Sequence, residues 1–216
     1  MQPRALLFDL DGTLLDSAAV IASVLNTMRG AAGLPALPLA SYRGWISHGA
    51  EQLVANALQL PDHAVLPALA EFRRHYQLLP TPPDTVYAAV LDTLAALQAA
   101  GCRLAICSNK PEALCRKVLQ DLGLGHCFGS VVGGDTAPHP KPHHAPLDHA
   151  LAALGVSAAR AVLVGDSTVD QQAAAAAGMP FIFFTGGYDD GVAPGSPRAS
   201  IDRLDQLLPL LPELLP

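Results

Sequence analysis

The sequence predicts an α/β protein with a doubly wound parallel sheet and a small all-helical cap domain inserted after the first strand. Short apolar runs alternate with longer amphipathic segments, a pattern typical of buried parallel strands joined by helices. A long stretch of helical pattern separates the first two predicted strands, and it exceeds what a simple crossover requires. Polar or Gly-rich residues follow the apolar runs and mark the ends of the strands.

Five apolar runs are predicted as strands, at residues 5–8, 103–107, 131–132, 161–164 and 181–184. In the second half of the chain, helical spacing with Pro at an entry or Gly at an exit predicts helices over 111–122, 145–154 and 169–177. Further helices over 18–32, 49–58 and 63–78 are predicted for the cap, which ends at the Pro-rich segment LLPTPPD. The predicted domains are therefore a cap at 16–82 and a core made of 1–15 and 83–216.

Composition narrows the class of protein and of partner. Of the 216 residues, 50% are hydrophobic and 15% are charged, as in an ordered, helix-rich globular protein. The net charge of −6 disfavours the basic surface that nucleic acids need, so a small-molecule partner is expected. The four cysteines form no C-x-x-C pair and are expected to be reduced thiols, which fits a cytoplasmic protein. We expect no membrane segment and leave open a monomer or a homodimer.

Two carboxylates one residue apart follow the first predicted strand, in Asp9-Leu10-Asp11-Gly12-Thr13. Asp9 is a candidate nucleophile, because a carboxylate that attacks phosphorus splits one difficult displacement into two easier ones. Asp11 is the candidate acid and base, which protonates the leaving alkoxide and then activates water. The alternative is an ordinary Asp-Gly turn without chemistry.

The segment DLDGTLLDS resembles the first motif of haloacid dehalogenase superfamily phosphatases, and the later motifs of that family follow in order along the chain. The resemblance implies a Rossmann-like core with a helical cap of the kind called C1. Ser108 and Asn109 match the second motif, in which a hydroxyl and an amide bind phosphoryl oxygens. Lys141 matches the third motif, in which an ammonium offsets the charge of nucleophile and phosphoryl group. A lone Lys is otherwise a solvated surface charge.

The fourth motif, Gly165-Asp166-Ser167-Thr168-Val169-Asp170, implies a magnesium site. By the resemblance, Mg²⁺ is held by Asp9, the main-chain carbonyl of Asp11, Asp166 and waters, which suits the preference of this ion for oxygen ligands. Asp170 is either a further ligand or a residue that supports the ligands. Its alternative role is to cap a helix and balance the helix dipole.

The predicted cap contains YRGWISHGA, which looks like the cap segment of phosphoglycolate phosphatase-like members, and the segment AAGMPFIFFTGGY extends this resemblance. Arg43 is a candidate for binding a substrate carboxylate, with Ser47 or His48 at another polar group. The equal alternative is that Arg43 only packs or forms an ion pair within the cap.

The function that the resemblance implies is hydrolysis of a small phosphomonoester through an aspartyl phosphate, most closely as in phosphoglycolate phosphatases. Asp11 favours phosphate transfer over dehalogenation, because an alcohol leaving group needs an acid and a halide does not. A phosphatase for sugar phosphates, including amino-sugar phosphates, and a phosphosugar mutase are the alternatives among enzymes. A non-catalytic binding module is the alternative outside enzymes, and it is disfavoured because no catalytic group of the motifs is missing.

Overall fold

The computed structural model describes residues 4–46 and 49–214. Six strands form one sheet in the order β3-β2-β1-β4-β5-β6, and every neighbouring pair is parallel. The predicted α/β class with a parallel sheet is confirmed. The strands are β1 (Arg4–Phe8), β2 (Cys102–Cys107), β3 (Ser130–Val132), β4 (Ala161–Gly165), β5 (Phe181–Phe184) and β6 (Ala199–Ile201).

Nine α-helices lie in the described part of the chain. The first five are α1 (Ala18–Ala31), α2 (Leu39–Ile46), α3 (Ala50–Leu58), α4 (Asp62–Leu78) and α5 (Val90–Ala99), and all of them lie between β1 and β2. The others are α6 (Glu112–Asp121), α7 (Ala145–Leu154), α8 (Thr168–Ala176) and α9 (Leu207–Leu214). The six helices and five strands predicted above are all present, with ends that differ by one residue at most. β6, α2, α5 and α9 were not predicted individually.

The sheet is buried on both faces because alternate side chains of each strand point to opposite sides. Leu6 and Phe8 belong to a core that contains apolar side chains of α5, α6 and α9. Ala5 and Leu7 belong to a second core, formed with α7 and α8. This arrangement is the predicted doubly wound sheet. The four cysteines are free and buried.

The helices α1–α4, called the helical insertion below, pack against one another. The two segments that lead into and out of the insertion run side by side, since the Asp16 N–H donates to the Thr85 carbonyl over 2.8 Å and the Tyr87 N–H to the Leu14 carbonyl over 3.0 Å. The domain boundary at 16–82 stays a prediction. Within residues 4–46 and 49–214, every helix is too short or too polar to cross a lipid bilayer.

Candidate active site

The candidate site lies at the carboxyl ends of β1, β2 and β4. Asp9 follows β1, Ser108 follows β2 and Asp166 follows β4. The chain runs from β1 to β2 and β3 on one side and then returns to β4 on the other side of β1. Ligands of open parallel sheets bind at such a switch point, where the loops diverge. The site therefore lies where the fold class predicts it.

Lys141 lies between two carboxylates. Its Nζ is 2.5 Å from Asp170 Oδ1 and 3.0 Å from Asp9 Oδ1, and its side chain is 2% exposed. Burial alone would lower the pKa of Lys141, but Asp170 and Asp9 raise it above its ordinary value. Lys141 is therefore a buried ammonium beside the candidate nucleophile, as the sequence predicts, and it is not a solvated surface charge.

Asn109 holds the main chain of Lys141. Its Nδ2 donates to the Lys141 carbonyl over 2.9 Å, and its Oδ1 accepts from the Lys141 N–H over 2.9 Å. The resemblance implied that the Asn109 amide binds phosphoryl oxygens, whereas both ends of this amide already bind Lys141. Ser108 is 4% exposed and lines the same cavity as Asp9. Binding of a phosphoryl oxygen by its hydroxyl stays a prediction.

Asp166 is fixed by two donors and by two glycines. Its Oδ1 accepts from the Thr13 hydroxyl over 2.7 Å and its Oδ2 from the Tyr188 N–H over 2.8 Å. A Cβ on Gly12 would lie 2.1 Å from Asp166 Oδ2, and a Cβ on Gly187 would lie 2.4 Å from Asp166 Cβ. Gly12 also has a φ of +91°, which L side chains rarely adopt. Only glycine therefore allows the two loops to approach Asp166 so closely.

Asp170 has a partner for each carboxylate oxygen. Oδ1 accepts from Lys141, while Oδ2 accepts from the Ser167 hydroxyl over 2.7 Å. Ser167 and Asp170 also form a capping box at the start of α8. The capping role considered from the sequence is thus present, together with an ion pair to Lys141. A direct metal contact by Asp170 stays a prediction.

A cluster of acidic groups in this site fits a divalent cation. Oxygen atoms of Asp9, Asp166 and Asp170 lie within 4.8 Å of one another, and all three residues are buried. Burial raises the pKa of Asp9 to about 6 despite Lys141, and repulsion by Asp170 contributes. Burial and the charges of Asp9 and Asp170 likewise raise the pKa of Asp166 well above its usual range. A cation would offset this excess of negative charge, since hard cations prefer carboxylate oxygens.

One carboxylate oxygen of Asp9 lacks a hydrogen bond. Its Oδ1 is buried and has no hydrogen-bond partner of good geometry, although Lys141 Nζ lies 3.0 Å away. The Asp9 N–H donates to the Val164 carbonyl over 3.0 Å, which anchors the residue beside β4. A buried oxygen without a hydrogen bond is costly unless a ligand or reaction partner uses it.

Asp11 is bound by a residue that sequence reasoning missed. Lys110 Nζ lies 2.7 Å from Asp11 Oδ1 and 2.5 Å from Oδ2, and it donates to the Tyr76 hydroxyl over 3.2 Å. Its side chain is 8% exposed. Lys110 directly follows the Ser-Asn motif, which is the only signal that the sequence offers. Its partner Tyr76 belongs to α4, and no local pattern links the two.

One cavity joins these groups. Its polar wall is formed by the strand-end residues Asp9, Asp11, Ser108, Asn109, Lys110, Asp166 and Ser167. Its apolar wall comes mostly from the helical insertion, with Ile21, Ile46, Leu53, Phe72 and Tyr76. Arg73 of α4 also lines the cavity. A phosphorylated ligand would thus meet charged groups at the strand ends and a largely apolar surface opposite.

Of the three cap residues considered as substrate contacts, the structure describes only Arg43. Arg43 forms an ion pair with Asp16, and its guanidinium lies 5.8 Å from the centre of the Tyr188 ring. Arg43 is not among the residues that line the cavity. Ser47 and His48 lie outside the described residues. Within this structure Arg43 thus forms a pair between the insertion and the segment that follows β1.

Comparison with known proteins agrees with this architecture. A phosphoglycolate phosphatase of Pseudomonas syringae pv. tomato is 39% identical over 216 residues, covering 96% of this chain and 79% of that protein. A protein of Cupriavidus necator named "Phosphoglycolate phosphatase, plasmid" is 41% identical, with 98% of this chain and 92% of that protein covered. The crystal structure of a predicted phosphoglycolate phosphatase from Haemophilus somnus superposes with a TM-score of 0.85 at 28% identity, covering 97% of this chain and 98% of that one.

The family follows from a match that spans most of the chain. The sequence model of haloacid dehalogenase-like hydrolases matches residues 6–184, which include all four motifs. The resemblance found in the sequence is confirmed. The chain belongs to the haloacid dehalogenase-like hydrolase family.

Proposed function

We propose that this protein is a Mg²⁺-dependent phosphatase that hydrolyses phosphoglycolate, or a closely similar small phosphomonoester, through an aspartyl phosphate on Asp9. The observation that carries the proposal is the grouping of Asp9, Asp11 and Asp166 around one cavity at the strand ends, with the Lys141 ammonium 3.0 Å from Asp9. The relatives named phosphoglycolate phosphatase, at 39% and 41% identity, support the substrate.

The first half of the reaction forms a bond from an Asp9 carboxylate oxygen to phosphorus. The bond from phosphorus to the ester oxygen breaks, and Asp11 gives its proton to that oxygen, so that glycolate leaves as an alcohol. In the second half, Asp11 takes a proton from water as the water oxygen attacks phosphorus. The bond between Asp9 and phosphorus then breaks, and inorganic phosphate leaves with Asp9 regenerated.

The surrounding residues stabilise the charge of the transferring group. The Lys141 ammonium and the Ser108 hydroxyl would bind phosphoryl oxygens, which the transition state requires because charge spreads over them. Asn109 and Asp170 would act by holding Lys141. Asp9, Asp166 and the Asp11 carbonyl would hold Mg²⁺, and the bound ion supplies positive charge next to the phosphoryl group.

A substrate carboxylate needs a cation away from the phosphoryl site. Arg73 lines the cavity, and no other side chain in residues 4–46 and 49–214 pairs with it. Arg43, for which the sequence left substrate binding and ion pairing equally open, is engaged by Asp16 and would first have to leave that ion pair. Arg73 is therefore the better placed of the two. Ser47 or His48 is kept as a candidate contact for another polar group.

A sugar phosphate is the second candidate substrate. The strand-end residues would bind the phosphoryl group of either ester in the same way, so the contacts made by the helical insertion would distinguish the two substrates. A phosphosugar mutase would share the aspartyl phosphate but return the phosphoryl group to a sugar.

We place the enzyme in the cytoplasm as a monomer or homodimer, and its buried free thiols support a reducing compartment.

The test is release of inorganic phosphate by the purified protein with and without Mg²⁺, on phosphoglycolate and a panel of sugar phosphates. We expect sustained, Mg²⁺-dependent release that is fastest with phosphoglycolate. Asp9→Asn and Asp166→Asn should lose activity by orders of magnitude, whereas Asp148→Asn, at an exposed helix position, should not. A preference for a sugar phosphate would replace the substrate, and no release from any ester would overturn the proposal.

Substrates with and without a carboxylate show whether Arg73 or Arg43 binds the carboxylate. Arg73→Met should raise KM for phosphoglycolate about tenfold or more and leave KM for ethyl phosphate nearly unchanged, because a bidentate charged contact is lost only with the first. Arg43→Met should affect both esters alike. The reverse pattern would return the carboxylate to Arg43.

A further inference from the structure

Lys110 is a buried cation in the cavity that the reaction scheme above does not use. Its ammonium contacts both carboxylate oxygens of Asp11, at 2.7 and 2.5 Å, and lies 4.6 Å from the centre of the Tyr76 ring. The contact therefore joins the end of β2 to the residue after β1 and to α4 of the helical insertion. We propose that Lys110 is a positioning residue that orients the Asp11 carboxylate for proton transfer, with Tyr76 holding Lys110 in place.

The orientation of Asp11 depends on this one contact. In the part of the chain that the structure describes, Lys110 is the only side chain that hydrogen-bonds to the Asp11 carboxylate. An ammonium that bridges both oxygens restricts rotation of the carboxylate. A proton donor has to lie within hydrogen-bond reach of the leaving oxygen, so this restriction bears directly on the rate of protonation.

Lys110 is not needed to balance the nucleophile, because Lys141 already lies 3.0 Å from Asp9. Burying a second ammonium is costly unless its partners are in place. Its partners are Asp11 and the hydroxyl and ring face of Tyr76, which is itself 2% exposed. This arrangement assigns Lys110 to the proton-transfer half of the site and Lys141 to the phosphoryl half.

Tyr76 makes the orientation of Asp11 dependent on the helical insertion. The Tyr76 hydroxyl accepts from Lys110 over 3.2 Å, and its ring faces the ammonium, which is a favourable cation–π contact. Lys110 is therefore fully bonded only while α4 packs over the strand ends. Loss of the Tyr76 hydroxyl should loosen Lys110 and, through it, Asp11.

The inference rests on the proposed phosphatase function, and its test uses the leaving group. We compare Lys110→Met with wild type in rapid-quench measurements of the first half-reaction, with phosphoglycolate and with p-nitrophenyl phosphate. The first ester needs a proton on its leaving oxygen, whereas nitrophenolate leaves with little help. Phosphorylation by phosphoglycolate should slow about 100-fold or more, the lower end of what acid catalysis contributes, and phosphorylation by p-nitrophenyl phosphate less than about threefold.

Lys117→Met is the matched control. The Lys117 ammonium lies 6.0 Å from the centre of the same Tyr76 ring but pairs with Asp121, so it cannot orient Asp11. This variant should slow neither ester selectively. Lys110→Arg should recover part of the loss with phosphoglycolate, and Tyr76→Phe should show a smaller loss with the same preference for the poor leaving group. If Lys110→Met does not fold, Tyr76→Phe alone tests the inference.

The inference is overturned if Lys110→Met and Tyr76→Phe slow phosphorylation of the enzyme by both esters equally. It is also overturned if they slow phosphorylation by neither ester. Both results would leave the phosphatase proposal standing. A wild-type enzyme that transfers no phosphoryl group from either ester would overturn both.

Discussion

The side-chain amide of Asn109 holds the main chain of Lys141 through two hydrogen bonds, each of 2.9 Å. The amide thus ties the loop after β2 to the loop that precedes α7. Lys141 in turn lies 3.0 Å from Asp9. Asn109, which the sequence resemblance assigned to phosphoryl oxygens, therefore also positions the Lys141 ammonium.

Asn109→Ala should lower both turnover and stability, because it removes two hydrogen bonds to partly buried main-chain groups. We expect kcat to fall at least about tenfold and the free energy of unfolding to fall by about 1–3 kcal/mol. Steady-state kinetics and urea unfolding measure the two effects. A stability loss with unchanged kcat would show that the position of Lys141 does not depend on Asn109.

Asp170→Asn should act on Lys141 more than on the metal, since both Asp170 oxygens already have protein partners. We expect kcat at saturating Mg²⁺ to fall about 10–100-fold. The control is Asp148→Asn, which removes an exposed ion pair with His144 and should change nothing. If saturating Mg²⁺ restores full turnover in Asp170→Asn, Asp170 is a metal ligand instead.

Gly12→Ala and Gly187→Ala should both damage the site, because the added Cβ atoms would lie 2.1 Å from Asp166 Oδ2 and 2.2 Å from the Gly12 carbonyl. We expect turnover to fall by orders of magnitude and the melting temperature to drop. Gly30→Ala is the matched control, since nothing lies within 4 Å of its Cβ and it occupies a helix. That variant should instead be stabilised by about 0.5–1 kcal/mol. Full activity in Gly12→Ala would contradict the packing described for Asp166.

Asp9 makes the stability of the metal-free protein depend on pH. Burial raises the pKa of Asp9 to about 6 in the folded state, above the ordinary value of 3.8 that the unfolded chain retains. The folded state therefore binds this proton more tightly, and the stabilisation is lost as pH rises from about 4 through about 6. The free energy of unfolding of wild type, relative to that of Asp9→Asn, should fall by roughly 2–3 kcal/mol across this range.

Mg²⁺ should reverse that loss, because the cation compensates the ionised carboxylates. In chemical denaturation of the EDTA-treated protein, added Mg²⁺ should stabilise wild type more at pH 7.5 than at pH 5. Parallel pH profiles for wild type and Asp9→Asn would refute a raised pKa at Asp9.

The sequence allowed a prediction of the sheet and of the strand-end chemistry, because both depend on local signals. Asp9 and Asp166 directly follow apolar runs, and parallel strands bring such positions to the same edge of a sheet. The α2 helix was missed because Leu39–Ile46 is short, contains Gly44 and follows a Pro-rich segment. In this helix Arg43, considered from the sequence both as a substrate contact and as a member of an ion pair, pairs with Asp16.

Contacts between the helical insertion and the core could not be predicted in this way. The pairing of Lys110 with Tyr76 depends on how α4 is rotated and where it lies over the sheet. Helical spacing predicts which side of a helix is apolar, but it does not tell which residue of another element that side meets. The same reason explains why Arg73, one position after the buried Phe72, was not singled out from the sequence.

Acid-quench mass spectrometry during turnover of phosphoglycolate with Mg²⁺ tests most directly whether Asp9 carries the phosphoryl group. The peptide that contains Asp9 should gain the mass of one phosphoryl group, and hydroxylamine should remove it. Asp9→Asn should show no gain. A phosphoryl group found on any other residue would contradict this role of Asp9. So would rapid-quench samples that contain no phosphorylated protein while inorganic phosphate is released at the full rate.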